Sequence, residues 1–234
     1  MHFIPTLLTS CLYALRDIKI GEEITKTYVN PLLPRDRRMQ TLKQNYGFEC
    51  DCRPCMLSPT DSTSSDERRS QLAIILSTPT FTRWAADLAR ADDFLAEKHR
   101  WALELVEEEQ VWAVETEFLE EMAHACALMG DVDGFRTWAQ KVVDAGQWVG
   151  QVGEFPGGGD AKEKERWRKW IWWLEDPEKR VKKWAWRKKM REGECVSLIV
   201  WYFFSEFWVE MSRRKTGIDL EAGMLEGIFG YSEE

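Results

Sequence analysis

Ten residues constrain this chain more than any others: Tyr46-Gly-Phe-Glu-Cys50-Asp-Cys52-Arg-Pro-Cys55. A C-x-C-x2-C array stands directly behind a pair of aromatic side chains. Thiolates bind zinc tetrahedrally, so Cys50, Cys52 and Cys55 read as three ligands of a structural site whose fourth ligand comes from elsewhere. The chain has six cysteines, three of them within six positions. That clustering suits an intracellular metal site better than a disulfide framework. Cys11, Cys126 and Cys195 read as buried or loop cysteines.

Around this array the pattern changes four times. Cys11 to Arg16 is short and largely apolar, and predicts a strand. Asp17 to Glu22 contains Gly21 and predicts a turn. Glu23 to Val29 alternates Ile24, Lys26 and Tyr28 against Thr25 and Thr27, the period of a second strand. Pro31 and Pro34 punctuate, and Arg35 to Tyr46 predicts a polar helix with Met39 and Leu42 inward. Ser58 to Ser65 reads as a Ser/Thr-rich linker.

From Asp66 to Ala145 the pattern is helical. Trp84, Leu88, Ala91 and Leu95 form one stripe; Val114, Phe118, Met122, Ala125 and Met129 form a second; Phe135, Trp138, Ala139, Val142 and Val143 form a third. Gly130 suits a helix C-terminus between the last two, and Ala123, Ala125 and Ala127 allow close approach of a neighbour. Gly146 to Gly159 breaks the pattern. Lys162 to Arg191 then holds 13 basic and 5 acidic residues, interleaved with six tryptophans. The sequence assigns no fold to this stretch and admits an irregular or disordered tail. The expected divisions are 1–57, a linker at 58–65, a helical unit at 66–146 and a tail at 147–234. The expected class is α+β, with a small, mostly-β N-terminal part and a helical remainder.

Charge is segregated. Residues 1–60 carry net +2, residues 61–150 net −10 and residues 151–234 net zero, within an overall −8. The overall sign weighs against a general nucleic-acid binder. The first fifteen residues lack the basic start and small-residue cleavage site of a secretory signal. The longest apolar run, Leu198 to Phe204, is far too short for a bilayer span. These features predict an intracellular protein of the nucleus, the cytoplasm or both.

The first segment resembles the C-terminal part of a SET domain, the catalytic fold of protein lysine methyltransferases. The matching residues are Ala14-Leu-Arg16-Asp-Ile, Gly21-Glu-Glu-Ile-Thr25-x-x-Tyr28, the helix around Arg35 to Leu42, Tyr46-Gly-Phe48, and the post-SET cysteines Cys50, Cys52 and Cys55. Residues 66–145 look like the tetratricopeptide-like arm of the SMYD-type subgroup, and 150–234 match nothing in it. The resemblance implies S-adenosylmethionine as methyl donor, zinc as structural metal and a protein lysine, histone or non-histone, as substrate. It implies that Tyr28 is the active-site tyrosine and Tyr46 a second tyrosine of the lysine channel, close to the cofactor. Phe48 is implied to pack on the cofactor's adenine. A lysine amine has a pKa near ~10.4 and must lose its proton before attack. An aromatic channel favours the neutral amine by desolvation and aligns it with the methyl group.

SET proteins also carry an Asn-His-Ser-Cys-x-Pro-Asn segment and a Gly-rich cofactor loop upstream of the matching strand. This sequence has neither. The resemblance therefore implies an N-terminally truncated chain, inactive alone, with the cofactor pocket and the zinc site each incomplete. Two other readings stand beside it. One is a non-catalytic interaction module whose acidic helical region holds a peptide or basic partner. The other is contact between the Trp- and Lys-rich stretch and nucleic acid or an anionic membrane.

Overall fold

In the computed structural model the backbone is described for residues 2–4, 9–11, 14–146 and 161–193. Two three-residue strands, β1 (His2–Ile4) and β2 (Thr9–Cys11), pair antiparallel with His2 opposite Cys11. The mostly-β N-terminal part expected from the sequence is not formed. Residues 14–34 hold neither helix nor strand, so the alternation of Glu23 to Val29 finds no partner to receive ladder bonds. Leu15, Ile20 and Ile24 consequently lie exposed. Two short strands alone bury too little to propagate a sheet. The turn does form: Gly21 has φ +85° and the Glu22 N–H donates to the Lys19 carbonyl at 3.0 Å. Arg16 pairs with Glu22 across it, and that bond, with the Lys19 N–H, holds the Glu22 carboxyl down at about 2.

Helix α1 (Arg35–Tyr46) matches the sequence reading and stops at Gly47, in the left-handed region at φ +73°. Leu42 is buried, while Met39 is only half-buried and Arg38 takes the second inward place. Helix α2 (Pro59–Ser77) absorbs the stretch expected to be a linker. The Ser58 hydroxyl accepts the Asp61 N–H at 3.2 Å, and Pro59 opens the first turn. Serine and threonine there act as helix-start residues rather than as a flexible spacer.

Helices α3 (Thr80–Ala86) and α4 (Phe94–Glu109) divide the stripe expected to run unbroken from Trp84 to Leu95. The carboxylate of Asp87 accepts the Ala89 N–H at 3.1 Å and turns the chain there. After a short 3-10 turn (Trp112–Val114) come α5 (Glu115–Met129) and α6 (Val132–Ala145), the helical hairpin that the second and third stripes predict. Gly130, at φ +74°, ends α5, and the Asp131 side chain caps α6 through the Gly134 N–H.

Helix α5 is the axis of the molecule and feeds three apolar clusters. Phe118 joins Leu72, Ile75, Ala102 and Val106 of α2 and α4, with Leu32 from the segment before α1. Ala125 and Leu128 join Phe81, Trp84, Ala85 and Leu95. Leu119, Ala123 and Ala127 meet Phe135, Ala139 and Val142 of α6. Burial on nearly all sides explains why its stripe is so wide.

The tail is where the sequence offered no fold. Of it, α7 (Ala161–Glu175), α8 (Pro177–Trp184) and α9 (Trp186–Arg191) are described, and they pack on the hairpin. Trp170 and Val181 enter the α5–α6 cluster, with Trp173 and Trp184 against it. The rings stack edge to face, Trp170 on Trp173 at 4.8 Å and Trp173 on Trp184 at 4.9 Å. No helix among the described residues is long and apolar enough to cross a membrane.

Candidate metal centre and aromatic cluster

The segment that carries the sequence-nominated residues is tied to the helices by charge as well as by Leu32. The N–H of Arg35 donates to Asp66 of α2 at 2.8 Å, and Arg38 faces the same carboxylate at 3.8 Å while donating to the Leu33 carbonyl at 2.6 Å. Arg69 of α2 donates to the Pro31 carbonyl. Its other side meets Glu109 of α4 at 2.9 Å, and Ser65 and Arg68 converge on the same carboxylate, each at 2.6 Å. Burial, then the charge of Arg38, pushes the Arg69 guanidinium below its ordinary value. Glu109 compensates that buried cation, and removing one partner of such a pair strands the other. None of these pairings shows in sequence spacing, because the partners lie about 30 to 40 positions apart.

Three aromatic rings then come together. Tyr28 meets Tyr46 at 5.2 Å and Phe48 at 5.6 Å between centroids, both edge to face. Such contacts set the mutual orientation of rings. The Tyr46 hydroxyl donates to the Tyr28 carbonyl at 3.3 Å, and the Lys26 ammonium lies over the Tyr28 ring at 4.3 Å. Gly47 makes the meeting feasible, since its positive φ turns the chain sharply between Tyr46 and Phe48. All three rings keep substantial exposure, 44%, 51% and 38% for Tyr28, Tyr46 and Phe48. A ring at Phe48 with that much open surface suits an adenine face. Open aromatic faces suit only the adenine part of an S-adenosylmethionine, so the three rings fit that cofactor in part.

Immediately beyond, the sulfurs of Cys50, Cys52 and Cys55 lie within 4.8 Å of one another. Zinc–sulfur bonds of ~2.3 Å place tetrahedral sulfurs ~3.8 Å apart, so a modest contraction would seat an ion. The backbone supplies the turn: the Cys55 N–H donates to the Cys52 carbonyl at 2.9 Å. The Cys55 carbonyl accepts from Arg35 Nε at 2.6 Å, which fixes the array to α1. Cys55 is buried, whereas Cys50 and Cys52 are half-buried. Desolvation raises the Cys50 thiol above its ordinary value. A positive ion would reverse that by favouring the thiolates. Cys126 sits apart, half-buried in α5 where the sequence predicted a buried or loop cysteine, its thiol pushed up to about 12 by burial and then by nearby Asp131. Cys11 and Cys195 have side chains outside the described residues.

The acidic residues of the helical region are less available than their number suggests. Glu109 is turned inward as above. Glu120 is bound by Arg166 of α7 and by the Trp170 N–H at 2.9 Å, and Glu121 meets the buried His99 at 2.5 Å. Three of the five glutamates at 107–109 and 120–121 thus serve the interior.

Comparison with known proteins finds short local matches to methyltransferases. The chain is 50% identical over 44 residues to the histone-lysine N-methyltransferase SET5 of Scheffersomyces stipitis, covering 19% of this chain and 9% of that protein. It is 41% identical over 51 residues to the human histone-lysine N-methyltransferase SMYD3, covering 22% and 12%. It is 37% identical over 70 residues to the set5 enzyme of Schizosaccharomyces pombe, covering 30% and 22%. The chain therefore spans between about a tenth and a fifth of the length of these relatives. No family model and no solved structure matches it. The short local matches support a relationship to SET-domain lysine methyltransferases.

Proposed function

We propose that this chain is a fragment of a SET-type, S-adenosylmethionine-dependent protein lysine methyltransferase of the SMYD-like kind, inactive by itself. The observation that carries the reading is the junction at Gly47. The Tyr28 ring meets Tyr46 and Phe48, which flank that glycine, edge to face, and three convergent thiols follow directly in the chain. In this reading Cys50, Cys52 and Cys55 hold zinc with a fourth ligand from elsewhere, and the ion fixes the peptide just beyond Phe48. Tyr28 and Tyr46 receive the substrate lysine, and Phe48 supports the adenine of the donor. The donor supplies an electrophilic methyl group. The rings desolvate and orient the lysine amine.

Two measurements test this. The purified chain should take up one equivalent of zinc in a competition titration. Cys52→Ser should weaken uptake by more than the roughly tenfold that loss of an outer-shell partner costs. Uptake indifferent to Cys52 removes the metal from the reading. Separately, residues 10–56 can replace the matching stretch in a SET5 relative. That chimera should retain methyl transfer from labelled S-adenosylmethionine to histones, and Tyr28→Phe should lower it by roughly a hundredfold. A folded but inactive chimera sinks the methyltransferase reading. Turnover by the present chain alone sinks the claim that it is inactive.

A further inference from the structure

The described structure resolves the tryptophan-rich stretch into two faces. Trp170 is buried, Trp167, Trp173, Trp184 and Trp186 are half-buried, and Trp172 alone of the six is exposed. The inward face is structural. The outward face is cationic. Residues 179–191 contain eight basic side chains and no acid. On α8, Lys179, Lys182 and Lys183 stand at i, i+3 and i+4, opposite the buried Val181, and all three are exposed. Neither Lys179 nor Lys182 has an ion pair among the described residues. Of the nearby acids, Glu175 ends α7, Asp176 caps α8 by accepting the Lys179 N–H at 3.1 Å, and Glu178 stands in the first turn of α8.

Beside these lysines the guanidinium of Arg180 lies 3.4 Å from the centroid of the Trp172 ring. Trp172 is 49% exposed, so the stack stands at the surface. The Nε of Arg180 is covered and makes no hydrogen bond. A guanidinium lying over an indole adds a second π plane beside it, and bases stack on both kinds of plane. Arg168, one helical turn before Trp172 on α7, is also exposed. Lysines act as point charges that neutralise successive phosphates without the bidentate fit a carboxylate partner favours.

We infer that the outer face of α7 and α8, with Trp172 and Arg180 as stacking platform and Lys179, Lys182 and Lys183 as phosphate contacts, binds single-stranded nucleic acid. The inference stands apart from the methyl-transfer reading and uses none of the residues between Tyr28 and Cys55. The chain's net charge of −8 conceals this face, because residues 61–150 alone carry net −10.

The test is fluorescence anisotropy of the full chain with labelled oligouridylate and oligothymidylate, titrated with salt from about 50 to about 200 mM. Phosphatidylserine-containing vesicles and sedimentation of the chain alone run as parallel arms. The expected result is salt-sensitive oligonucleotide binding. K179E/K182E/K183E should reduce affinity at least about tenfold and flatten the log–log salt slope by about two. W172A should reduce affinity roughly tenfold with the slope kept. These positions are exposed, so far-UV circular dichroism should remain unchanged, and the lysine-to-arginine triple variant should bind as the parent does. No salt-sensitive binding, or binding indifferent to both variants, overturns the inference. So does vesicle binding without oligonucleotide binding, or a self-association that the charge reversal abolishes in place of it.

Discussion

Replacing Arg187 by methionine lowers the stability of this chain by about 3–5 kcal/mol, read as a shift in the midpoint of urea unfolding. The guanidinium is fully buried, at 0% exposure. It lies 4.4 Å from the centroid of Trp84, donates to Asp92 at 2.8 Å and to the Asp87 carbonyl at 2.9 Å, and also reaches the carbonyls of Trp84 and Arg90. These acceptors surround the C-terminal end of α3, where carbonyls lack partners within the helix and a cation is favoured. Methionine keeps volume but supplies no donor, so several carbonyls and one carboxylate lose their partner together. Lysine restores the charge without the fork, and Arg187→Lys should recover only part of the loss. A methionine variant as stable as the parent would show that the carbonyls rehydrate freely and that the cluster contributes nothing net.

Trp170→Ala is expected to cost a similar amount, about 3–5 kcal/mol, from the cavity it leaves. The ring is 1% exposed and wedged among Phe135, His124 and Trp173. Its N–H also donates to Glu120, a carboxylate that Arg166 holds from α7. Trp170→Phe separates the two contributions. It retains much of the volume and removes the donor, and should cost clearly less than the alanine change. Equal losses in both variants would assign the effect to the hydrogen bond rather than to packing. Both tests are informative for the same reason: they probe the seams of the helices that the sequence left without a fold, Arg187 against the end of α3 and Trp170 against the hairpin.

Local order proved the most legible part of the sequence. Helix α1, the Gly130 stop and the α5–α6 hairpin follow from stripes, a glycine and an aspartate cap, all decided by neighbours a few positions away. The proximity of the three sulfurs was also legible, because tight cysteine spacing acts locally, whereas that of Tyr28 to Tyr46, 18 positions on, rested on the family resemblance and not on local pattern. The strand at Glu23 to Val29 was misread because alternation describes a side-chain pattern, whereas a strand also needs a partner. The linker at 58–65 was misread because Ser58 and Pro59 carry the same composition whether they start a helix or join two units. The seat of α7 to α9 was invisible for a different reason. Its anchors, Arg187 on Asp92 and Arg166 on Glu120, are long-range ionic contacts with no periodicity to reveal them.

The clasp at Arg187 has a kinetic consequence. It joins positions as many as 103 residues apart, and contacts of such separation form late, after the entropy of a long closing loop has been overcome. During synthesis the indole of Trp84 and the open end of α3 must wait for nearly the whole described chain to emerge before they are covered. Until then the Asp87 carbonyl and the Asp92 carboxylate lack their cation, and the dependence of this chain on chaperones should be greatest in that interval.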